Sequence, residues 1–441
     1  MREVLIVSPR FPPINAADVH RVRTSLAYYR RFGWEPTVLC VDPATSDGIE
    51  DAMLAQALTP DIRVVRIRAW DEAKCRPFGF GQLSYRSLLP LYRAGSRLFR
   101  ERRYDVVFFS TTVFMSFVLG RLWKRRFGCK VVYDFQDPWY SDPPIYTRET
   151  APGSWWKYRL DQWFARHLER FAMRAADHVI AVSPAYIATL TSRYPWLDSS
   201  KFTVLPFGAN ADDYSFMRKQ DIKQTIFSIE PHLVRWVYAG RAGSDMIPIL
   251  AALFQALAAL KAQDPEFTAK LRLDFVGTNY ASPERTYKLV EPTARAHGMQ
   301  ELVREHPERV AYFQTIALYD TSDAILLIGS VHADYTPSKL FSCILSKKPI
   351  LALFHRRSPA VEIARRFPNV FLATFDDNPA EPQFRNRIAE GIAWLRAASF
   401  DAAAIDVAIE PWSAKASTEA QCAIFDRISA HTSGTTRAAS P

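Results

Sequence analysis

Apolar positions in this chain fall into two alternating rhythms, short continuous runs and longer stretches with three-to-four spacing. The first run, Val4 to Ser8, predicts a strand. The loop PRFPPINAAD follows, and then a helix from about Asp18 to Phe32 with Val22, Leu26 and Tyr29 on one side. Gly33 closes that helix and Pro36 to Val41 predicts strand two, a complete strand–helix–strand unit. The alternation continues with strands at Val64 to Ile67, Val106 to Phe109, Lys130 to Phe135, His178 to Val182 and Phe202 to Leu205. Helices are predicted at Leu88 to Arg103, Val113 to Phe127, Trp155 to Arg174 and Pro184 to Arg193. The polar, irregular segment from Pro206 to Pro231 reads as an inter-domain linker.

A second α/β series then begins at Arg235 to Arg241. It predicts helices at Ile249 to Ala262, near Thr286 to His297, and briefly at Leu318 to Ser322, with strands at Leu271 to Val276 and Val310 to Phe313. Its most informative stretch is Ala324 to Phe354: a buried strand to Gly329, a polar loop holding Asp334, a helix and a strand from Ile350. Thr336-Pro337 is a helix-start signal, a hydroxyl cap with proline at the first helical position. Leu340, Phe341, Ile344 and Leu345 then recur at helical spacing, and Lys347-Lys348-Pro349 ends the helix. Such a helix starts at the carboxyl end of a strand, where open α/β sheets bind ligands and free N–H groups favour an anion. Ser338 and Lys339 are placed in its first turn. An ordinary core unit with a solvated lysine has the same pattern. Later come helices at Pro359 to Phe367, Pro382 to Ala398 and Trp412 to Ala430, a strand at Val370 to Ala373, and a small polar tail expected to be disordered.

At 441 residues the chain exceeds one typical core. Its composition, 48% hydrophobic and 23% charged, is that of a globular protein. A net charge of +10 suits a phosphate-rich ligand or an anionic membrane face. Nucleic acid is set aside because no zinc-finger, RRM or helix-turn-helix signature is present. Five scattered cysteines without a C-x-x-C argue against a disulfide framework or zinc site and fit a reducing cytoplasm. No signal peptide is expected, since the sequence goes straight into the Val4 strand, and the run Val106 to Gly120, interrupted by hydroxyl residues, is too short for a membrane span. Leu88 to Arg103 reads either as a basic amphipathic helix on an anionic membrane or as a surface helix of the domain. The absent G-x-G-x-x-G weighs against a dinucleotide-dependent oxidoreductase.

In order, the fragments VSPRFPP, FGWEPTVL, YDVVFFS, KVVYDFQDPWY, AADHVIAVSP, KFTVLPFGAN, VYAGR, LYDTSDAILLIG, PSKLFSCILSKKPIL and PWSAKAS resemble glycosyltransferase family 4 over nearly the whole chain. The resemblance implies the α/β GT-B fold, two Rossmann-like domains facing across a cleft, with a C-terminal helix crossing back to the first. On that reading, residues 1–206 are the acceptor domain, 207–230 a linker, 231–411 the nucleotide-sugar domain, 412–430 the returning helix and 431–441 the tail. The family's E-x7-E pair falls on Asp334 and Ser342, so a hydroxyl stands where a ribose-binding glutamate is usual. Gly240 and Arg241 match the diphosphate-binding segment, without the companion lysine; Lys339 is the substitute cation. Asn15-Ala16-Ala17 replaces a Gly-Gly pair, and Asn15 and Arg23 are the acceptor-side candidates. Gln136 stands where many members carry a catalytic histidine, and Asp137 beside it matches the acidic residue of an aspartate-tryptophan branch.

The expectation is a retaining glycosyltransferase, with Asp137 and Asp334 catalytic, moving a sugar from a nucleoside-diphosphate sugar to a lipid-linked or surface polysaccharide precursor. No metal or further cofactor is expected; the acid pairs at 212–213 and 376–377 read as linker and loop residues. The rival reading is a degenerate GT-B scaffold in a polysaccharide assembly complex, motivated by Ser342 and the missing lysine.

Overall fold

The computed structural model describes residues 1–141, 148, 155–279, 287–333, 335 and 337–430. The backbone divides into two compact units, residues 1–208 with 414–441, and residues 209–413.

Unit 1 is built on seven parallel strands: β1 (Arg2–Val7), β2 (Trp34–Val41), β3 (Arg63–Ile67), β4 (Val106–Ser110), β5 (Lys130–Phe135), β6 (His178–Ala181) and β7 (Phe202–Val204). Their order is β3-β2-β1-β4-β5-β6-β7, so the chain runs outward from β1 to one edge and then restarts on its other side at β4. The central strands are near-continuous apolar runs because both faces are covered, whereas edge strand β3 carries exposed Arg63 and Arg66. Successive side chains point to opposite faces, and the packing follows: Leu5, Val7, Val107 and Phe109 join one core, while Val4, Ile6, Val106 and Phe108 join the other.

That second core also contains the last helix, Ala414–Ala430. Phe425, fully buried, meets Trp34 edge-on at 5.4 Å and stacks on Tyr29 at 6.3 Å. The Tyr29 hydroxyl donates to Gln421 at 2.7 Å, and Trp34 Nε1 donates to Asp426 at 2.8 Å. Burying a phenylalanine contributes about 2–3 kcal/mol, so this helix is an integral layer of unit 1. In the helix Leu88–Glu101, Leu91, Gly95, Ser96 and Leu98 are buried against the core, while Arg93, Arg97 and Arg100 are exposed.

Unit 2 has six parallel strands: β8 (Val234–Ala239), β9 (Leu271–Val276), β10 (Val303–His306), β11 (Ala324–Ile328), β12 (Ile350–His355) and β13 (Val370–Phe375). The order β10-β9-β8-β11-β12-β13 reverses between β8 and β11 in the same way. The stretch Ser244–Gln263 is long and apolar enough to cross a membrane, and longer than the run at 106–120. Its Leu250, Leu253, Phe254 and Leu257 instead lie in the core of this unit.

Several expectations need correction. The strand expected at 310–313 is the start of a helix, Tyr312–Thr321, and the strand is Val303–His306. Phe313, Ile316 and Ala317 are all buried at helical spacing, which the short apolar run at 310–313 concealed. The polar linker contains a helix, Ala211–Lys219, belonging to unit 2: Tyr214 donates to the Ser342 carbonyl at 2.7 Å, and Tyr312 to Asp213 at 2.7 Å. The helix expected from Pro337 begins at Leu340 and spans only Leu340–Leu345. Ser338 and Lys339 therefore sit in the turn that enters it. Thr336 and the tail 431–441 lie outside the described residues.

Candidate functional site

In an open parallel sheet the loops at the carboxyl ends of the two strands flanking a reversal splay apart and leave a ligand crevice. In unit 2 these are the loop after β8 and the loop after β11. Gly240 and Arg241 leave β8, and the Tyr238 hydroxyl donates back to the Arg241 carbonyl at 2.7 Å. The Arg241 guanidinium makes a two-pronged pair with Asp245, Nη1 and Nη2 each 2.8 Å from one carboxylate oxygen. Burial alone would raise the Asp245 carboxyl, but the Arg241 fork and the Ser330 hydroxyl bring it down to about 2. The Val331 amide donates to the Asp245 carbonyl at 3.2 Å, so Asp245 ties the β8 loop to the β11 loop. The guanidinium lies 5.3 Å from the Tyr335 ring centroid and is about one-third exposed. A methyl group at Gly243 would fall on this pair, 2.5 Å from Arg241 Nη1, which is a physical reason for glycine there.

Arg241 is thus oriented and half-neutralised at once. Its planar fork has five donors, of which Asp245 takes two, leaving N–H groups for an anion. The second cation is Lys339, half-buried in the turn before the 340–345 helix. Among the described residues its ammonium has no ion-pair partner. Burial first, and then the Arg309 charge, push Lys339 down to about 8, against an opposing pull from Cys343. Ser342 lies on the 340–345 helix with its side chain half-exposed. Ser338 is exposed. Asp334 lies outside the described residues.

Unit 1 has its reversal between β1 and β4, and again a carboxylate bridges the two loops. Asp18, buried, accepts from Thr111 Oγ1 at 2.9 Å, the Thr112 amide at 2.9 Å and Thr112 Oγ1 at 3.0 Å. Arg10 adds a 3.1 Å bond to Thr112 and holds Asp47 through Nε at 2.8 Å. At the end of β5, Asp134 is fully buried. Its Oδ2 accepts from Ser110 Oγ at 2.7 Å and Gln136 Nε2 at 3.0 Å, and forms an ion pair with Arg21, whose Nε lies 2.8 Å away. Arg21 also donates to the carbonyl of Leu205 at 2.6 Å. Asp134 is therefore one half of a buried ion pair. Burial pushes its carboxyl up, opposed by Arg21, Ser110 and Gln136.

Asp137 follows three residues later on an exposed turn. Crowding by protein that thins its hydration, and then the Asp18 carboxylate, push it up to about 6. Gln136, in the place of the family's histidine, is buried and bonded to Ser110 Oγ at 3.0 Å. Asn15 is half-exposed and pairs antiparallel with Ile49 in a two-residue bridge. Arg23 is buried on the Val19–Ser25 helix, 3.5 Å from His20 Nδ1.

The acid pairs at 212–213 and 376–377 have other partners: Tyr312 for Asp213, Arg356 for Asp376 and Arg357 for Asp377. Among the described residues no group of three metal-ligating side chains occurs. Asp18, Arg10 and Arg21 escaped the sequence reading because their partners are distant along the chain. Only Asp245, four residues after Arg241, carried a local signal.

Residues 19–208 match the model of the glycosyl transferase 4-like domain. No curated protein matches the chain. Solved structures match along the full length. HepE from Anabaena, in complex with UDP-glucose, is 18% identical with a TM-score of 0.59, covering 98% of this chain and all of that one. A glycosyltransferase from Rickettsia africae is 17% identical at TM-score 0.57, covering 97% and 98%. The lipopolysaccharide outer core galactosyltransferase WaaB, in its apo form, is 12% identical at TM-score 0.56, covering 96% and 99%. Residues 19–208 thus match a glycosyl transferase 4-like domain, and the two Rossmann-like sheets give the chain a GT-B fold.

Proposed function

We propose that this protein is a retaining glycosyltransferase that moves a sugar from a nucleoside-diphosphate sugar to a lipid-linked or cell-surface polysaccharide precursor. It would act in the cytoplasm, at the inner face of the membrane. The observation that supports donor binding best is the Arg241–Asp245 pair held above Tyr335 at the sheet reversal of unit 2. In the transfer, the bond from the anomeric carbon to the diphosphate oxygen breaks and a bond to an acceptor hydroxyl oxygen forms. Negative charge grows on the departing diphosphate, and Arg241 and Lys339 are the cations proposed to stabilise it. The acceptor proton goes to a base, for which Asp137 is proposed, with Asp334 near the donor sugar. Gly240, Ser338 and Ser342 complete the proposed donor contacts, Asn15 and Arg23 the acceptor side. No metal or further cofactor enters this scheme.

HepE holds UDP-glucose in its crystal, which makes a uridine donor the first to try. Incubation with a panel of nucleotide sugars and a membrane extract tests the proposal. Transfer or donor hydrolysis with one donor supports it, and neither with any donor overturns it. A second reading, a scaffold without donor binding, is favoured by Asp245 compensating the Arg241 charge and by Ser342 in the glutamate's place. A scaffold binds no nucleoside diphosphate in calorimetry.

A further inference from the structure

The helix Trp155–Met173 is apolar on both sides, and only one side is used by the core. Ala165, Glu169, Ala172 and Met173 face inward. On the opposite side Trp156, Leu160, Trp163 and Phe164 are 76%, 53%, 54% and 39% exposed. Their spacing of four, three and one puts all four on a single stripe. Isolated exposed apolar residues are ordinary, but a continuous stripe of about 500 Å² is at the upper end of what a soluble monomer shows.

The exposed charges that the helix itself carries beside the stripe have one sign, while Glu72 and Asp47 line the neighbouring cavity. Lys157, Arg159, Arg166 and Arg170 are exposed on this helix. Its two acids are engaged elsewhere: Asp161 accepts from the Tyr85 hydroxyl at 3.1 Å, and buried Glu169 holds Arg193 and Tyr194, each at 2.6 Å. The Tyr85–Asp161 bond also brings in the turn that carries Phe78 and Phe80, 77% and 54% exposed. Lys157 shares the wall of an open 370 Å³ cavity with Arg76 and Gly79 of that turn.

We infer that this face of unit 1 docks on an anionic lipid bilayer, with the Trp156–Phe164 stripe and the Phe78 turn entering the headgroup layer. Tryptophan suits that layer because its ring is apolar and its N–H can stay wet. Flanking lysines and arginines meet anionic headgroups. The inference rests on the lipid-linked acceptor reading for its purpose, though the surface is argued from its own residues.

The test is sedimentation of the full chain with vesicles of phosphatidylcholine alone or with phosphatidylglycerol added, alongside calorimetry with UDP, GDP and ADP. Binding is expected with the anionic vesicles, to weaken with added salt and to be at least about tenfold poorer on phosphatidylcholine alone. Trp156→Ser with Trp163→Ser is expected to lose about tenfold or more in vesicle affinity at unchanged melting temperature, whereas Val407→Ser, an exposed apolar residue of unit 2, loses none. Equal binding by the double variant, or no binding by the native chain, overturns the inference. So does a native dimer that the double variant dissolves without any vesicle binding, which would assign the stripe to a second copy. A native chain that binds UDP, GDP or ADP but no vesicle rejects the docking face alone; one that binds none of the three diphosphates rejects the donor reading.

Discussion

Lys339 and Asp137 have pKa values displaced toward neutrality, and they fix a pH signature. Asp137, pushed up to about 6, is ionised above that pH and takes up its proton below it. Lys339, pushed down to about 8, carries its charge below that pH and loses it above. If they are the base and the diphosphate cation, kcat/KM plotted against pH is a bell between these two values, because it reports groups of the free enzyme. Asp137→Asn removes the acid limb along with most activity; Lys339→Arg, whose charge persists, removes the alkaline limb. A profile with neither limb would exclude both roles. The buried Asp134 has a different task. Asp134→Asn leaves Arg21 charged and unpaired, so an unfolding free-energy loss of about 3–5 kcal/mol is expected in denaturant titration. A loss under about 1 kcal/mol would show the pair to be dispensable.

Among the elements, the last helix matters most to unit 1, and it carries a second pH dependence. His178 on β6 receives Arg427 Nη2 at Nδ1 (3.3 Å) and faces Thr203 Oγ1 through Nε2 (2.9 Å). Arginine is always a donor, so Nδ1 accepts and the ring is neutral with its proton on Nε2. Burial, then Arg427 and Lys201, push His178 down to about 4. An unfolded histidine titrates near 6.5, so between about 6.5 and 4 the unfolded chain binds the proton more readily. Stability contributed by this group is present above that window and lost as pH falls through it, by about 2 kcal/mol between pH 7 and 5. Melting curves of the native chain and His178→Gln should converge on acidification by that amount. Parallel curves would show that the ring does not sense pH.

Elements were legible in the sequence where their apolar period was long and unbroken, as in β1, β12 and the helices at 155–173 and 184–193. Val303–His306 was not, because it is an edge strand in which Arg304 is exposed and Glu305 is spent on capping, accepting from the Val290 and Glu291 amides at 2.9 and 3.0 Å. The helix at 340–345 was legible in its apolar face but not in its start. Leu340 bonds back to the Pro337 carbonyl at 3.2 Å as a turn, which the cap signal at 336–337 does not distinguish from a helix.

Across the whole chain, the same device occurs twice. Each sheet reverses its order once, and at each reversal a carboxylate, Asp18 in unit 1 and Asp245 in unit 2, fastens one flanking loop to the other. Two α/β series and a returning helix could be read from periodicity and motif order. The carboxylates that build the crevices could not, since Asp18 finds its threonines only after the sheet forms. The reversal in unit 2 bears the central claim, that a nucleoside diphosphate is held there by Arg241 with Lys339. Calorimetric titration of UDP, GDP and ADP into the native chain and Arg241→Ala tests it most directly. At least one diphosphate should bind the native chain, and the substitution should weaken it by about tenfold or more, the worth of a charge-assisted hydrogen bond. Binding of none of the three, or equal binding by Arg241→Ala, would contradict the account.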